Sequence, residues 1–164
     1  RVSSVDAGEN IRTFRVHTLR INTSSSNCAD GFSKCLYPVQ KFDSDPERRL
    51  AVVLEDDTDA VKWFRPGKDD IRIDYSREER SYEPDFIVEA NMGKFLCEVK
   101  QASEMQNPVV LAKANAAATW CAYASEHSDK PWTYLLIPDD KIGSSSTLAG
   151  LAAAWTYSAE RIGT

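Results

Sequence analysis

The apolar run WTYLLIP, at residues 132–138, most narrows the folds open to this chain. A strand that is apolar at nearly every position is expected where both faces of a sheet are covered. Two helices that could cover these faces are predicted. A helical stripe in residues 108–127 precedes the run, and an alanine-rich helix is predicted to begin after it, near Ser146. The pattern therefore predicts a sheet with helices on its faces.

The rest of the chain supplies alternating segments and turn residues that complete this prediction. A helix is expected from about 44 to 55, where Ser44 and Glu47 have the spacing of a capping box. The other predicted elements are an early strand in 10–22, a polar loop in 22–31, a short extended segment at 60–64, a strand at 71–75, and two hairpin strands, 84–90 and 93–100, joined by the turn Asn91-Met92-Gly93. The strand at 71–75 and the hairpin are expected to form a three-stranded meander. The expected fold class is α/β or α+β, a mixed sheet flanked by helices in one domain over residues 1–164.

Composition limits the function classes. Hydrophobic residues make up 42% of the 164 residues and charged residues 27%, as in a folded globular domain. The net charge is −5, from 20 basic and 25 acidic residues, whereas a domain that binds nucleic acid strongly by itself is usually basic. No apolar stretch approaches the roughly 18 residues that a membrane span needs. Because the chain begins with Arg1 rather than methionine, we expect it to be a piece of a longer protein.

The four cysteines are spread along the chain without a CxxC pair, at Cys28, Cys35, Cys97 and Cys121. This spacing argues against a zinc site. Unpaired thiols of a cytoplasmic protein are the favoured interpretation, and a Cys28–Cys35 disulfide is the alternative in an oxidising setting.

Three charged residues are expected to meet where the two hairpin strands end far from their turn. Side chains alternate along a strand, so Glu98 and Lys100 share one face. Asp85 lies on the neighbouring strand at a similar distance from the turn. The three groups can therefore cluster at the open end of the hairpin.

Such a cluster has a chemical use. Two carboxylates, Asp85 and Glu98, are suitable ligands for Mg²⁺, with Mn²⁺ as an expected substitute. The backbone carbonyl of Val99 offers a further ligand, and Lys100 could orient a nucleophilic water or neutralise a phosphodiester in reaction. The alternative is a solvated salt bridge at a strand end, worth about 0–1 kcal/mol.

The same residues resemble a known nuclease signature. Pro84-Asp85 followed by Glu98-Val99-Lys100 resembles the PD-(D/E)xK motif. The similarity extends over roughly residues 37–140, where FDSDPERRLAVVLE, VKWFRP, IRIDY, YEPDFIVEA, LCEVK, the KANAAATWC helix and WTYLLIPD follow one another as in the C-terminal endonuclease domain of type III restriction enzyme Res subunits. Similar domains occur in related DEAD/DEAH-helicase fusions. The resemblance implies a restriction-endonuclease-like fold and Mg²⁺-dependent double-strand DNA cleavage.

The resemblance also implies roles for single residues. Asp85 and Glu98 would be metal ligands and Lys100 the catalytic lysine. Glu47 matches the family's helical acid, which approaches the metal, although the capping box explains Glu47 without a metal. Gln101 and Lys113 would contact DNA phosphates, although Lys113 can equally be a solvated helix residue.

The partners that the resemblance implies are double-stranded DNA, an ATP-using helicase part of the same longer chain, and a separate modification (methyltransferase) subunit, in the bacterial cytoplasm. Since recognition and translocation would reside in those parts, we expect the isolated domain to cut poorly or not at all. Two alternatives stay open. One is a catalytically silent docking module of a DEAD/DEAH-type helicase, and the other is a metal-dependent phosphodiesterase or resolvase that acts on RNA or branched DNA.

Overall fold

The structure, a computed structural model, describes residues 28–37, 39–78 and 80–159. The helices and strands of this part are, in chain order, β1 (Cys28–Asp30), β2 (Val39–Lys41), α1 (Asp45–Asp56), β3 (Ala60–Phe64), β4 (Ile73–Asp74), β5 (Ser81–Tyr82), β6 (Phe86–Ala90), β7 (Lys94–Lys100), α2 (Pro108–Glu126), β8 (Trp132–Pro138) and α3 (Leu148–Trp155). Short 3₁₀ turns cover Ala102–Glu104 and Asp139–Lys141. The predicted early strand in residues 10–22 lies outside the described residues.

A four-stranded mixed sheet forms the centre of the molecule, in the order β3-β6-β7-β8. β3, β6 and β7 pair antiparallel, and β8 pairs parallel to β7. A parallel partner requires a long crossover connection, which α2 supplies between β7 and β8. The prediction of a mixed sheet flanked by helices is confirmed.

Helices cover both faces of the sheet. On the first face, α1 and α3 pack with the sheet residues Phe86, Val88, Phe95, Cys97, Val99, Leu135 and Ile137. On the second face, α2 packs with Ile87, Leu96, Trp132, Tyr134 and Leu136. Consecutive residues of β8 therefore alternate between two apolar cores, which is why the WTYLLIP run contains almost no polar position.

The helix predictions agree with the structure. In α1, the hydroxyl of Ser44 accepts a hydrogen bond from the backbone N–H of Glu47 at 3.5 Å. The buried stripe of α2 consists of Val110, Ala114, Ala117, Ala118 and Cys121, as the spacing predicted. Helix α3 begins at Leu148, after its cap Thr147, close to the predicted start near Ser146.

The predicted meander is wrong in one strand. The segment at 60–64, predicted only as extended, is β3 and pairs with β6, whereas Ile73–Asp74 pairs with Ser81–Tyr82 in a separate two-stranded sheet. The N–H of Tyr75 donates to the carbonyl of Arg80 at 3.0 Å and closes this pair locally. Pro84, which has no N–H to donate, separates the pair from β6. Alternation identified the strand at 71–75 but contained no information about its partner.

The polar loop predicted for residues 22–31 is also wrong at its described end. Residues 28–30 form β1 and pair antiparallel with β2 through Cys28↔Lys41 and Asp30↔Val39. Such pairing uses main-chain groups, so a polar composition does not prevent it.

The turn of the central hairpin lies where it was predicted. The N–H of Ala90 donates to the carbonyl of Gly93 at 2.8 Å, and the N–H of Lys94 donates to the carbonyl of Pro131 at 2.8 Å. A Cβ on Gly93 would lie 2.9 Å from the Pro131 oxygen. The close approach of these two backbones therefore requires glycine at this position.

Candidate functional site

The register of β6 and β7 places Asp85 and Glu98 across from each other. The last ladder pair is Phe86↔Cys97, so one step outward brings Asp85 opposite Glu98, where side chains of neighbouring strands come within contact range. Buried Pro84 cannot continue the ladder because it has no N–H. The predicted clustering of acids at the open end of the hairpin follows from this register.

Beyond the end of the ladder, the carboxylate of Asp85 serves as the hydrogen-bond acceptor for the backbone N–H of Val99. Its Oδ2 accepts a hydrogen bond from the backbone N–H of Val99 at 2.8 Å. The N–H and C=O groups of β7 alternate between its two neighbours, and those of Val99 point to the β6 side. The Val99 carbonyl thus faces the same strand end, where Pro84 cannot donate to it.

Glu98 is buried, with 4% of its surface exposed. Its Oε1 lies 2.8 Å from Nζ of Lys100, whose side chain is 27% exposed. Its other oxygen, Oε2, is buried and has no hydrogen-bond partner within the described part of the chain. A buried carboxylate oxygen without a partner is costly, and a bound water or cation would satisfy it.

The pKa values of both acids are raised. Burial and the neighbouring Glu98 charge raise the pKa of Asp85 from 3.8 to about 7, against the hydrogen bond from Val99. Burial raises the pKa of Glu98 as well, although the cations of Lys100 and Lys113 oppose the shift. Burial disfavours the charged form of Lys100, but the Glu98 carboxylate outweighs it and holds the Lys100 pKa above its usual value. Such paired shifts are typical of functional sites.

Glu47 lies on α1, and the structure gives its carboxylate two other partners. Its Oε2 lies 2.8 Å from Nη2 of Arg65 and accepts a hydrogen bond from the Asp43 N–H at 2.9 Å. Its charge still contributes to the raised pKa of Asp85. The predicted approach of Glu47 to a metal stays a prediction.

The two predicted phosphate contacts lie in different surroundings. Gln101 is exposed, directly after β7, and its carbonyl accepts the Glu104 N–H of the following 3₁₀ turn at 2.8 Å. The ammonium of Lys113 lies over the rings of Tyr75 and Tyr82, at 5.4 and 5.2 Å from their centroids. Lys113 is therefore held on the α2 side of the sheet, near enough for its charge to act on Glu98.

The donor set fits a hard divalent cation. Among the described residues, no group of three or more histidine, cysteine, aspartate or glutamate side chains is placed to hold a metal ion. Two carboxylates and a backbone carbonyl remain, and Mg²⁺ commonly binds to one or two carboxylates while it keeps several waters. The unpaired Oε2 of Glu98 and the repulsion between the two acids are both features that a cation would relieve.

Sequence reasoning missed Arg65. This residue directly follows β3, and its guanidinium contacts Glu47 and the main chain of Asp85. The signal was an arginine at the end of a short alternating segment, but its meaning depended on β3 pairing with β6. The thiols of Cys35, Cys97 and Cys121 are free and buried, and burial raises the pKa of each.

Comparisons with known proteins leave the family of this chain open. No protein-family model matches the sequence, and no curated protein matches it significantly. No helix in the described ranges is long and apolar enough to cross a membrane.

Proposed function

We propose that this chain is a metal-dependent DNA endonuclease domain of the restriction-endonuclease-like fold, which hydrolyses phosphodiester bonds with Mg²⁺. The observation that carries the proposal is the pair of carboxylates at the end of two adjacent strands. One of them, Glu98, has a buried oxygen without a hydrogen-bond partner among the described residues, and a lysine lies on its other oxygen.

The ligands of the metal would be Asp85 and Glu98, with the Val99 carbonyl beside them. When bound, Mg²⁺ supplies a Lewis acid that lowers the pKa of a bound water and stabilises charge on the phosphate. The hydrogen bond from the Val99 N–H holds Asp85 at the open end of the hairpin before a metal arrives.

Lys100 acts as a cation in this proposal. Its raised pKa keeps the ammonium protonated at neutral pH, so it neutralises negative charge that develops on the phosphodiester instead of removing a proton. Its partly exposed side chain can reach a substrate while it remains paired with Glu98. Lys113 adds a second positive charge on the same side of the sheet.

The order of elements supports the proposed fold. Six of the seven segments that carry the nuclease resemblance lie mainly in α1, β3, β6, β7, α2 and β8, that is, in the central sheet and in two of the three helices that cover it. The exception is IRIDY, whose residues 73 and 74 belong to the separate two-stranded sheet.

The wider assignment is to a type III restriction enzyme, in which an ATP-using helicase part of the same chain moves along DNA and a methyltransferase subunit recognises the sequence in the bacterial cytoplasm. The acidic net charge of −5 supports it, because such a domain needs other parts to hold DNA. Full cleavage activity is accordingly expected from the protein that includes the helicase part.

Titration calorimetry with Mn²⁺ tests the site first. The wild-type chain is expected to bind Mn²⁺, and Asp85→Asn and Glu98→Gln are each expected to weaken binding by about 100-fold or more. Asp45→Asn, a change of an exposed acid on α1, is the matched control and should bind as wild type does. Equal binding by wild type and the two site variants would overturn the proposal and favour the docking module.

Cleavage of labelled duplex DNA, branched DNA and RNA tests the substrate. The longer protein is expected to cut duplex DNA in Mg²⁺, and the Asp85→Ala and Lys100→Ala variants are expected to lose this activity. A preference for RNA or branched DNA would replace the proposed substrate and keep the chemistry. Intact cleavage by either variant would overturn the assignment of its residue.

A further inference from the structure

Arg65 lies at the same end of the sheet as the two acids. It follows β3 by one residue, where the β3–β6 register brings it next to Phe86. Its Nε donates to the main-chain carbonyl of Asp85 at 3.4 Å, and its Nη1 donates to the carbonyl of Lys41. The guanidinium thus connects the start of β6 to the end of β2.

The same group also binds the beginning of α1. Its Nη2 lies 2.8 Å from Oε2 of Glu47 and 3.3 Å from Oδ2 of Asp43. The Arg65 side chain is 14% exposed and that of Glu47 is 10% exposed. A planar guanidinium can reach several acceptors in fixed directions at once, which the single ammonium of a lysine cannot do.

Two aromatic rings contact the guanidinium of Arg65. Its central carbon lies 5.6 Å from the centroid of the Phe42 ring and 5.7 Å from that of the Phe86 ring. Both rings are buried in the first core. Cation–π contact of this kind stabilises a desolvated arginine and restricts its movement.

We propose that Arg65 is a positioning residue of the metal site. It fixes the main chain of Asp85 from the first face of the sheet, so that the Asp85 carboxylate, on the second face, stays on the Val99 N–H and opposite Glu98. Its use in metal binding rests on the proposed function, whereas the positioning itself does not.

A role limited to neutralising Glu47 is the competing explanation. Arg65→Lys separates the two, because a lysine can keep the charge pair with Glu47 but cannot also reach the Asp85 carbonyl. Arg65→Gln removes both functions. Arg48→Gln is the matched control, since Arg48 lies on α1 in an exposed ion pair with Asp45.

Amide hydrogen exchange of the metal-free protein provides the first readout. The Val99 N–H is protected by the Asp85 carboxylate, whereas the Cys97 amide belongs to the β6–β7 ladder. In Arg65→Lys and Arg65→Gln we expect Val99 to exchange about tenfold faster, as for loss of one hydrogen bond, with Cys97 unchanged. If Arg65→Gln does not fold, Arg65→Lys alone decides. Wild-type exchange of Val99 in the lysine variant would overturn the proposal.

Mn²⁺ affinity provides the second readout. Replacement of a group that orients a metal ligand typically weakens binding by about 10–100-fold, and we expect this for Arg65→Lys, with Arg48→Gln unchanged. If wild type itself binds no Mn²⁺, the proposed function fails while the exchange result still decides the role of Arg65. If wild type and Arg65→Lys bind equally, the role of Arg65 in metal binding is wrong.

Discussion

The carboxylate of Asp85 accepts a hydrogen bond from the backbone N–H of Val99 at 2.8 Å. This single contact couples the last residue before β6 to β7, at the position where Pro84 ends the ladder. It keeps Asp85 beside Glu98 although the two acids repel each other and both have raised pKa values. The hairpin therefore holds the Asp85 and Glu98 carboxylates in an unfavourable arrangement, and a bound cation would reduce their repulsion.

The pH dependence of stability should reflect the raised pKa of Asp85. A pKa that rises from 3.8 to about 7 on folding means that the folded protein binds the proton more tightly. The stabilisation is complete below pH 4 and is lost as the pH rises through 7. Asp85→Asn keeps an acceptor for Val99 but cannot titrate. The free energy of unfolding of wild type relative to this variant should fall by about 4 kcal/mol between pH 4 and pH 8, in urea titrations without metal, because one pKa unit corresponds to about 1.4 kcal/mol. A constant difference would contradict the assigned shift.

Metal binding should release a proton near neutral pH. Below pH 7 Asp85 is largely protonated, and a metal ligand must be deprotonated. Calorimetric titration of Mn²⁺ at pH 6, in buffers of different ionisation enthalpy, should show release of up to about one proton, and less at pH 8.5. Release that does not change with pH would indicate that Asp85 is ionised in the free protein.

Lys100→Met should destabilise the metal-free protein. It leaves the buried Glu98 carboxylate without its ion-pair partner, at a cost of about 1–3 kcal/mol at pH 8. The cost should shrink as the pH falls, because burial raises the pKa of Glu98 and its protonated form needs no cation beside it. Lys141→Met is the control, since Lys141 and Asp140 form a half-exposed pair at 3.4 Å, and its effect should stay below about 0.5 kcal/mol. Equal effects of both variants in chemical denaturation would show that the Glu98–Lys100 pair acts as an ordinary surface salt bridge.

Glu47→Gln should lower stability more than it lowers metal affinity. Its carboxylate is the buried partner of Arg65, so its loss should cost about 1–3 kcal/mol in the free energy of unfolding. Asp45→Asn, a change of an exposed acid in the same helical turn, should lower the free energy of unfolding much less. A loss of Mn²⁺ affinity as large as that of Asp85→Asn would instead identify Glu47 as a direct ligand.

Gly93→Ala should weaken the hairpin that carries the site. Its Cβ would lie 2.9 Å from the Pro131 carbonyl oxygen, and relief of that overlap should cost about 1–3 kcal/mol. Gly143→Ala is the matched control because a Cβ there meets nothing within 4 Å. Thermal unfolding should show a clear fall in Tm for the first variant and almost none for the second.

Part of the candidate site could be predicted because it depends on local sequence. Strand alternation and the distance from the turn at 91–93 were sufficient to bring Asp85, Glu98 and Lys100 to one end of the hairpin. The buried stripe of α2 followed from helical periodicity, and burial of WTYLLIP on both faces followed from its composition. Each of these inferences uses side-chain spacing along one element or one hairpin.

The remaining features depend on contacts between distant segments. The pairing of β3 with β6, and the separate pairing of 73–74 with 81–82, depend on main-chain hydrogen bonds that any residue except proline can make. The role of Arg65 depends on that same pairing, because only then does its guanidinium lie beside the carbonyl of Asp85.

The sequence by itself determined which residue types could form a metal site and at which end of a hairpin they would lie. The tertiary structure decided the burial, the pKa values and the ion-pair partners of these residues. It buried Glu98, one oxygen of which has no partner in the part of the chain that the structure describes. It also raised the pKa of Asp85 through the burial of Asp85 and the neighbouring Glu98 charge, and it paired Glu47 with Arg65. The physical reason is that desolvation and the partners of a charged group come from the packing of α1, α2 and neighbouring strands around it, and these lie far from the motif along the chain.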